Sequence, residues 1–190
     1  MGMNSMKYYT IIGGINGTGK SSLAGALKTE RNDLGQMIDV DKLNSRFGGN
    51  KILGGKEAVR RIEQCLNMGV SFTQETTLSG RKTLITAARA KSSGYFVRLY
   101  YVGLESLEES LSRIANRVRK GGHDIPSEDV IRRYSQRTKD LLQILPYCDE
   151  AWFYDNENGF RLVGEYRNGE ILLLGEDIPS WMKELYVQFN

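Results

Sequence analysis

The sequence has few of the features that mark secreted or membrane-spanning proteins. Its 190 residues include only two cysteines and three prolines. Cys65 and Cys148 do not form a CxxC pair, so no disulfide framework is expected and a reducing cytoplasm is the favoured location. The first nine residues, MGMNSMKYY, have no apolar signal-peptide core, and no apolar run elsewhere is long enough to span a membrane.

An excess of charge of one sign is also missing. The chain has 26 Lys and Arg residues against 23 Asp and Glu residues, which gives a formal net charge of +3. Overall charge therefore gives no reason to expect a nucleic-acid partner. The apolar fraction of 40% and the charged fraction of 26% are typical of a globular protein. The length predicts one domain over residues 1–190.

Short apolar segments of strand length alternate with segments of helical periodicity along most of the chain. This alternation predicts an α/β fold with five parallel strands flanked by helices. Asn168 and Gly169 separate two further β-rich segments, which predicts a C-terminal hairpin at the sheet edge, followed by a helix that packs through Trp181 and Leu185. The five parallel strands are expected in KYYTIIGGI, QMIDVD, VSFTQETT, YFVRLYYVGL and DEAWFYDN.

A glycine-rich loop, GGINGTGKSS, follows the first predicted strand and precedes the first predicted helix. It fits the phosphate-loop pattern G-x-x-x-x-G-K-[ST], which would arise by chance in a chain of this length about one time in a hundred. Such a loop presents backbone N–H groups to phosphate oxygens, the lysine reaches the β and γ phosphates, and the serine hydroxyl is a ligand of Mg²⁺. The alternative is a glycine-rich turn with an exposed lysine. We expect ATP and Mg²⁺ here, with Ser21 as the metal ligand and the nucleotide on Gly14, Ile15, Asn16, Gly17, Thr18, Gly19, Lys20, Ser21 and Ser22.

Acidic and hydroxyl side chains follow the next two predicted strands. Ligands of open α/β sheets bind beyond the carboxyl ends of the strands, where these residues are expected. Asp39 and Asp41 would share one side if the strand persisted that far. One of them would accept a proton from an attacking hydroxyl or help to hold Mg²⁺ through water. We favour Asp41, with Asp39 as a helix cap or a supporting residue. The residues predicted to bind an acceptor substrate are Asp39, Glu75, Thr76 and Thr77.

A basic segment over about residues 106–139 is predicted to form a helical lid. Arg113 and Arg117 are four residues apart and therefore share a helix face, and Arg132 or Arg133 is the next candidate. Arginines in such a lid neutralise the charge that develops during phosphoryl transfer and exclude water. The alternative is a solvated face paired with nearby carboxylates. His123, the only histidine, lies in the loop GGHDIP at the tip of the lid, where a catalytic role and a structural hydrogen bond are both open.

Four separated motifs resemble those of the compact zeta-toxin-like P-loop kinases. They are GGINGTGKSS, IDVDKLN, FTQETTLSG and RVRKGGHDIP, the last followed by IRRYSQR and LLQILPYCDEAWFYDN, and they extend from about Tyr8 to Asn156. Zeta toxins phosphorylate the 3′-hydroxyl of UDP-N-acetylglucosamine with ATP and Mg²⁺, and a small antitoxin blocks their ATP site. The chain is shorter than many zeta toxins, and its GGHDIP loop differs from theirs.

The resemblance implies a P-loop NTPase fold and an ATP-dependent phosphotransferase. It makes Lys20, Asp41 and Arg113 catalytic residues and Glu75 an acceptor-binding residue. For a second catalytic lid arginine, Arg117 is the geometric candidate, with Arg132 or Arg133 as alternatives. An antitoxin protein is the implied partner. Two alternatives remain: a regulator that binds ATP, hydrolyses it slowly and has no small-molecule acceptor, and an RNA 5′-hydroxyl kinase. Aromatic residues that would stack on RNA bases are not interleaved with the arginines, so a nucleic-acid partner is not favoured.

Overall fold

The computed structural model of the chain describes residues 6–122 and 124–190. His123, for which the sequence left a catalytic and a structural role open, lies outside the described residues. In the part described, seven strands form one sheet that carries helices on both faces. The strands are β1 (Tyr8–Gly13), β2 (Gln36–Asp39), β3 (Phe72–Thr76), β4 (Phe96–Gly103), β5 (Glu150–Asp155), β6 (Arg161–Arg167) and β7 (Glu170–Leu173).

The strand order is β2-β3-β1-β4-β5-β6-β7. The first five strands in this order pair in parallel, while β5–β6 and β6–β7 are antiparallel. The prediction of five parallel strands with a C-terminal hairpin at the edge is therefore confirmed. Because β1 lies between β3 and β4, the loop after β1 opens at the centre of the sheet, between the carboxyl ends of its neighbours.

Seven helices connect or cover the strands within residues 6–122 and 124–190. In chain order they are α1 (Lys20–Glu30), α2 (Val40–Arg46), α3 (Lys51–Met68), α4 (Lys82–Ser92), α5 (Leu107–Arg119), α6 (Ser127–Ile144) and α7 (Ser180–Phe189). In this part of the chain, no helix is both long and apolar enough to cross a membrane.

Two helix starts differ from those that the sequence indicates. The periodicity suggests a helix from Gly54, but α3 begins at Lys51 because the side chain of Asn50 accepts hydrogen bonds from the N–H groups of Ile52 and Leu53. Ser79, a residue type that commonly caps helices, does not cap α4. α4 begins at Lys82 without a side-chain cap, and the Ser79 hydroxyl pairs with a neighbouring threonine instead.

Apolar side chains cover both faces of the sheet. The smaller cluster joins α1, through Leu23 and Leu27, to Ile12 and Tyr100 on the sheet. The larger cluster lies on the opposite face and extends to the terminal helix α7, where Trp181 and Leu185 are buried as the sequence predicts. Tyr9 and Ile11 of β1 belong to the larger cluster and Ile12 to the smaller one, so packing on both faces of the sheet positions β1 and the loop that follows it.

Candidate active site

The glycine-rich loop packs closely against the ends of two neighbouring elements. Gly14 has a φ of 144°, and a Cβ atom there would lie 2.4 Å from the carbonyl oxygen of Val102 on β4. Gly17 has a φ of 81°, and a Cβ atom would lie 2.6 Å from the carbonyl oxygen of Ser110 on α5. Both positions therefore require glycine. The tight loop leads directly into α1 at Lys20, so the helix N-terminus faces the space in front of the loop.

Side chains from distant segments hold the loop in this shape. The Ser110 hydroxyl donates to the carbonyl oxygen of Asn16 at 2.5 Å, and the Asn156 Nδ2 atom donates to the carbonyl oxygen of Thr18 at 2.8 Å. Within the loop, the Thr18 hydroxyl donates to the carbonyl oxygen of Ile15 at 3.0 Å. Sequence reasoning missed Ser110 and Asn156. Asn156 could have been predicted, because it directly follows β5 at the edge of the sheet where the glycine-rich loop lies.

Lys20 folds back over the loop. Its Nζ atom donates to the carbonyl oxygen of Ile15 at 2.8 Å. Burial lowers the pKa of Lys20 to about 8, although Asp41 and Glu75 raise it in part. The ammonium group therefore lies in a site with too little negative charge to compensate its desolvation. A bound phosphate would supply that charge.

Glu75 lies against the serine of the loop. The Ser21 hydroxyl donates to Glu75 Oε2 at 2.8 Å, because β3 is the direct neighbour of β1 in the sheet. The other carboxylate oxygen, Oε1, is buried and has no hydrogen-bond partner among residues 6–122 and 124–190. Burial, followed by the charge of Asp39, raises the pKa of Glu75. An unpartnered carboxylate oxygen beside a serine hydroxyl is a donor set that suits a hard divalent cation such as Mg²⁺.

The two aspartates after β2 have different environments. Asp39 ends the strand, and its Oδ1 atom accepts from the N–H groups of Asp41 and Lys42 at 3.0 and 3.1 Å. Asp39 Oδ2 also lies 3.3 Å from Lys42 Nζ. Asp41 belongs to the first turn of α2 and lines the cavity described below. The strand does not persist to Asp41, because it ends at Asp39, and Asp39 is the helix cap that the sequence left open as its role.

The threonines after Glu75 form a turn at the same edge. Thr76 Oγ1 lies 3.2 Å from Thr83 Oγ1 and accepts from the N–H group of Leu78 at 3.1 Å. Thr77 Oγ1 lies 2.8 Å from Ser79 Oγ. Both Thr76 and Thr77 line the cavity, although part of their hydrogen-bonding capacity is used within the turn.

A cavity of about 660 Å³ brings these groups together. It extends from the glycine-rich loop past Asp41 and Glu75 to the helices α5 and α6. Gly14, Ile15 and Thr18 are not among its lining residues. The loop residues that line it are Asn16, Gly17, Gly19, Lys20, Ser21 and Ser22.

Three arginines of the predicted lid line the cavity. Arg113 Nε donates to Glu109 Oε1 at 2.6 Å, and its Nη2 atom donates to the carbonyl oxygens of Asn156 and Glu157. It therefore lies beside the segment after β5, which also contacts the loop. Arg117, one turn further along α5, lines the same cavity.

The third lid arginine that lines the cavity is Arg133. It donates from Nη1 to Asn16 Oδ1 at 2.5 Å, and its Nε atom is buried without a partner. Arg132 pairs with Asp129 at 2.7 Å, is exposed, and does not line the cavity. Of the two alternatives that the sequence left open, Arg133 is the one next to the glycine-rich loop.

Comparison with known proteins gives one relative in sequence and several in structure. No family model matches the sequence. A protein of Haemophilus influenzae, described as uncharacterized, is 32% identical in an alignment of 127 residues that covers 64% of this chain and 88% of that protein.

Three solved structures share the fold. A chain from the PezAT chromosomal toxin–antitoxin system of Streptococcus pneumoniae matches with a TM-score of 0.62 and 16% identity, over 100% of this chain and 80% of that one. A chain of the AvrRxo1-ORF1:-ORF2 complex with ATP matches with a TM-score of 0.63 and 20% identity, over 97% of this chain and 63% of that one. A chain of the Pnkp1/Rnl/Hen1 RNA repair complex matches with a TM-score of 0.57 and 16% identity, over 74% of this chain and 48% of that one.

The strand order, the glycine-rich loop and these structural matches place the chain in the class of α/β proteins with a phosphate-loop (P-loop) fold. Within that class, the chain belongs to the same family as the Haemophilus influenzae protein.

Proposed function

We propose that the chain is an ATP- and Mg²⁺-dependent kinase that transfers the γ-phosphate to a hydroxyl group of a small molecule, with a sugar nucleotide such as UDP-N-acetylglucosamine as the first candidate. One observation carries the proposal. A phosphate-binding lysine, a buried carboxylate beside the loop serine, a second carboxylate on α2 and a lid arginine all line one cavity. Phosphoryl transfer uses these groups: a lysine and a metal site for the phosphates, an arginine for the charge that develops, and a carboxylate that orients or deprotonates the nucleophile.

The glycine-rich loop would hold the β and γ phosphates. Lys20 would exchange its hydrogen bond to the Ile15 carbonyl for phosphate oxygens, and the added negative charge would return its pKa toward the ordinary value. The ATP-bound AvrRxo1 complex, which shares this fold, supports ATP as the donor.

Ser21 and Glu75 are the residues that would hold Mg²⁺. No group of three or more His, Cys, Asp or Glu side chains suited to a metal ion occurs in the described residues, so phosphate oxygens and water would complete the coordination shell. When bound, the ion would neutralise charge on the β and γ phosphates. Occupation of the site would give Glu75 Oε1 a partner that it lacks in the protein alone.

Asp41 would act on the acceptor. Its carboxylate would accept the proton of the attacking hydroxyl as the new O–P bond forms and the bond from the γ phosphorus to ADP breaks. Asp39 would keep Asp41 in position, because it accepts the hydrogen bond from the Asp41 N–H group and caps α2. Thr76 and Thr77, which line the same cavity at the end of the neighbouring strand β3, would also contact the acceptor.

Arg133→Ala is expected to lower kcat for phosphoryl transfer by about 10²-fold or more, because the guanidinium beside Asn16 would stabilise the transferring phosphoryl group. Arg132→Ala is the matched control, since this neighbour removes the same charge from an exposed position outside the cavity. Steady-state kinetics of both variants provide the measurement. Equal losses in the two variants would contradict a specific role for Arg133.

We also propose a partner protein and a cellular location. A structure from the PezAT toxin–antitoxin system supports an antitoxin protein as a partner that would block the ATP site. A cytoplasmic location is supported by Cys65 and Cys148, which are both buried and unpaired.

The first experiment is a transfer assay with the purified protein, Mg²⁺ and γ-labelled ATP, with and without UDP-N-acetylglucosamine. Label on the sugar nucleotide is the expected result, and Lys20→Ala should abolish it. ATP hydrolysis that the sugar nucleotide does not change would reject this acceptor and favour a slow ATPase that regulates a partner.

An RNA 5′-hydroxyl kinase is the second candidate, favoured by the structural match to a chain of an RNA repair complex. A 5′-hydroxyl oligoribonucleotide in a parallel assay tests it. Label on the RNA, with an affinity that falls as salt increases and as Arg113 and Arg117 are neutralised, would replace the sugar nucleotide with RNA as the acceptor.

A further inference from the structure

The helices α2 and α3 meet at a contact that only glycine allows. A Cβ atom on Gly54 would lie 2.1 Å from Asn44 Oδ1 and 2.6 Å from the backbone nitrogen of Asn44. Gly54 therefore has a steric role, because it lets the two helices pack closely and seats the Asn44 side chain between them.

Within the part of the chain that the structure describes, the side chain of Asn44 is a buried amide without a hydrogen-bond partner. The residue is 7% exposed, and its Oδ1 atom is buried without a hydrogen bond. The Nδ2 atom of Asn44 makes no hydrogen bond within the described residues. Unlike Oδ1, it is not fully buried, so its N–H groups lie on the accessible side of the side chain. Asn44 also lines the cavity. An unpaired amide in a binding cavity requires an explanation, and a ligand supplies one.

Gly55, the next residue, has no steric reason to be glycine. It lies inside an 18-residue helix, where glycine is unfavourable relative to alanine. A Cβ atom on Gly55 would meet nothing within 4 Å, and the residue lines the cavity. The missing side chain therefore leaves open space in the cavity, one residue from the contact with Asn44.

We propose that Asn44 and Gly55 form a specificity subsite for the phosphoryl acceptor. Gly55 provides the space for an uncharged part of the acceptor, and Asn44 donates a hydrogen bond from Nδ2 to an oxygen atom of that part. The oxygen is a sugar hydroxyl or an amide carbonyl, which share this chemistry. The inference rests on the proposed kinase function and names the residues that select its acceptor.

The test compares four proteins: the wild type, Gly55→Leu, Asn44→Ala and Gly25→Leu. Gly25 is the matched control, because it is an exposed helical glycine on α1 with nothing within 4 Å of its Cβ position. Each protein is assayed with γ-labelled ATP and either UDP-N-acetylglucosamine or UDP-glucose, which lacks the amide. Binding of Mg²⁺ with a non-hydrolysable ATP analogue is measured by calorimetry, and melting temperatures check the folding of each variant.

We expect Gly55→Leu to lower kcat/KM for the acceptor by about 10- to 100-fold, because the added side chain fills the subsite. Asn44→Ala should raise KM by about ten-fold through the lost hydrogen bond. The affinity for the ATP analogue should be unchanged in both, and Gly25→Leu should match the wild type. If Asn44→Ala raises KM only for UDP-N-acetylglucosamine, the oxygen that Asn44 binds is the amide carbonyl. If it raises KM for both sugar nucleotides, that oxygen belongs to a hydroxyl group.

The same assays test the acceptor subsite separately from the proposed kinase activity. Acceptor kinetics that are unchanged in Gly55→Leu and Asn44→Ala would overturn the subsite and leave the kinase standing. If the wild type labels neither sugar nucleotide, the same proteins are incubated with the small-molecule fraction of a bacterial extract. A product made by the wild type and Gly25→Leu but not by Gly55→Leu supports the subsite, and a product made equally by all four overturns it. No product from any protein rejects both proposals.

Discussion

Asp41→Asn is expected to lower the rate of phosphoryl transfer by about 10²- to 10⁴-fold while the affinity for ATP stays unchanged. The substitution keeps the size of the side chain, but an amide cannot accept the proton of the attacking hydroxyl. Asp41 lines the cavity from the first turn of α2, on the side of the proposed acceptor. The measurement is kcat and KM for the acceptor that the transfer assay identifies, together with direct titration of the ATP analogue.

Asp39→Asn is the control for this prediction. It removes the same charge two residues away, and asparagine caps a helix about as well as aspartate, so the start of α2 should be preserved. We expect a much smaller loss of rate than for Asp41→Asn. A similar loss in both variants would show that Asp41 acts through its charge and not as the proton acceptor. A loss of ATP affinity in Asp41→Asn would place this residue at the nucleotide instead.

The sequence allows the glycine-rich loop to be predicted because its residues are consecutive, and their spacing alone specifies the turn that surrounds a phosphate. The strand ends are predictable for a similar reason. Apolar segments of strand length end in polar residues, so Asp41 and Glu75 are assigned to the correct edge of the sheet. These features depend on local spacing, which a single sequence contains.

Contacts between distant segments are not predictable in this way. Glu75 meets Ser21 because β3 is the neighbour of β1, and strand order is not contained in the local pattern of either segment. Arg133 and Arg132 are equivalent in sequence, and only the packing angle of α6 directs Arg133 to the glycine-rich loop. The contact of Gly54 with Asn44 likewise depends on how two helices cross.

Asp33→Ala is expected to destabilise the protein by about 3 kcal/mol, because it leaves a buried arginine without its charged partner. Arg98 is 2% exposed, on the sheet face covered by α1. It donates from Nη1 and Nη2 to the Asp33 carboxylate at 2.9 and 2.7 Å, and from Nε to the Thr10 hydroxyl at 2.8 Å. Arg31 binds the same carboxylate from the surface. Denaturant unfolding of the variant measures the loss.

The ion pair between Asp33 and Arg98 also makes the stability of the protein depend on pH. Hydrogen bonds from Arg98, and then from Arg31, hold the pKa of Asp33 well below its ordinary value. A carboxyl group with a lowered pKa in the folded state stabilises the protein above its unfolded pKa of about 3.9 and loses that contribution as the pH falls below it. The free energy of unfolding should therefore fall below about pH 4 in the wild type, and less steeply in Asp33→Ala.

Glu57→Ala provides the matched control, because Glu57 is also bound by two arginines, but Arg60 and Arg61 are 63% and 26% exposed, whereas Arg98 is 2% exposed. Its pKa is lowered for the same reason, yet solvent screens the pair, so the substitution should change stability very little. In the double variant Asp33→Ala with Arg98→Met, much of the lost stability should return, since no unpaired charge remains buried. Equal effects of Asp33→Ala and Glu57→Ala, or no recovery in the double variant, would show that burial of Arg98 is not the cause.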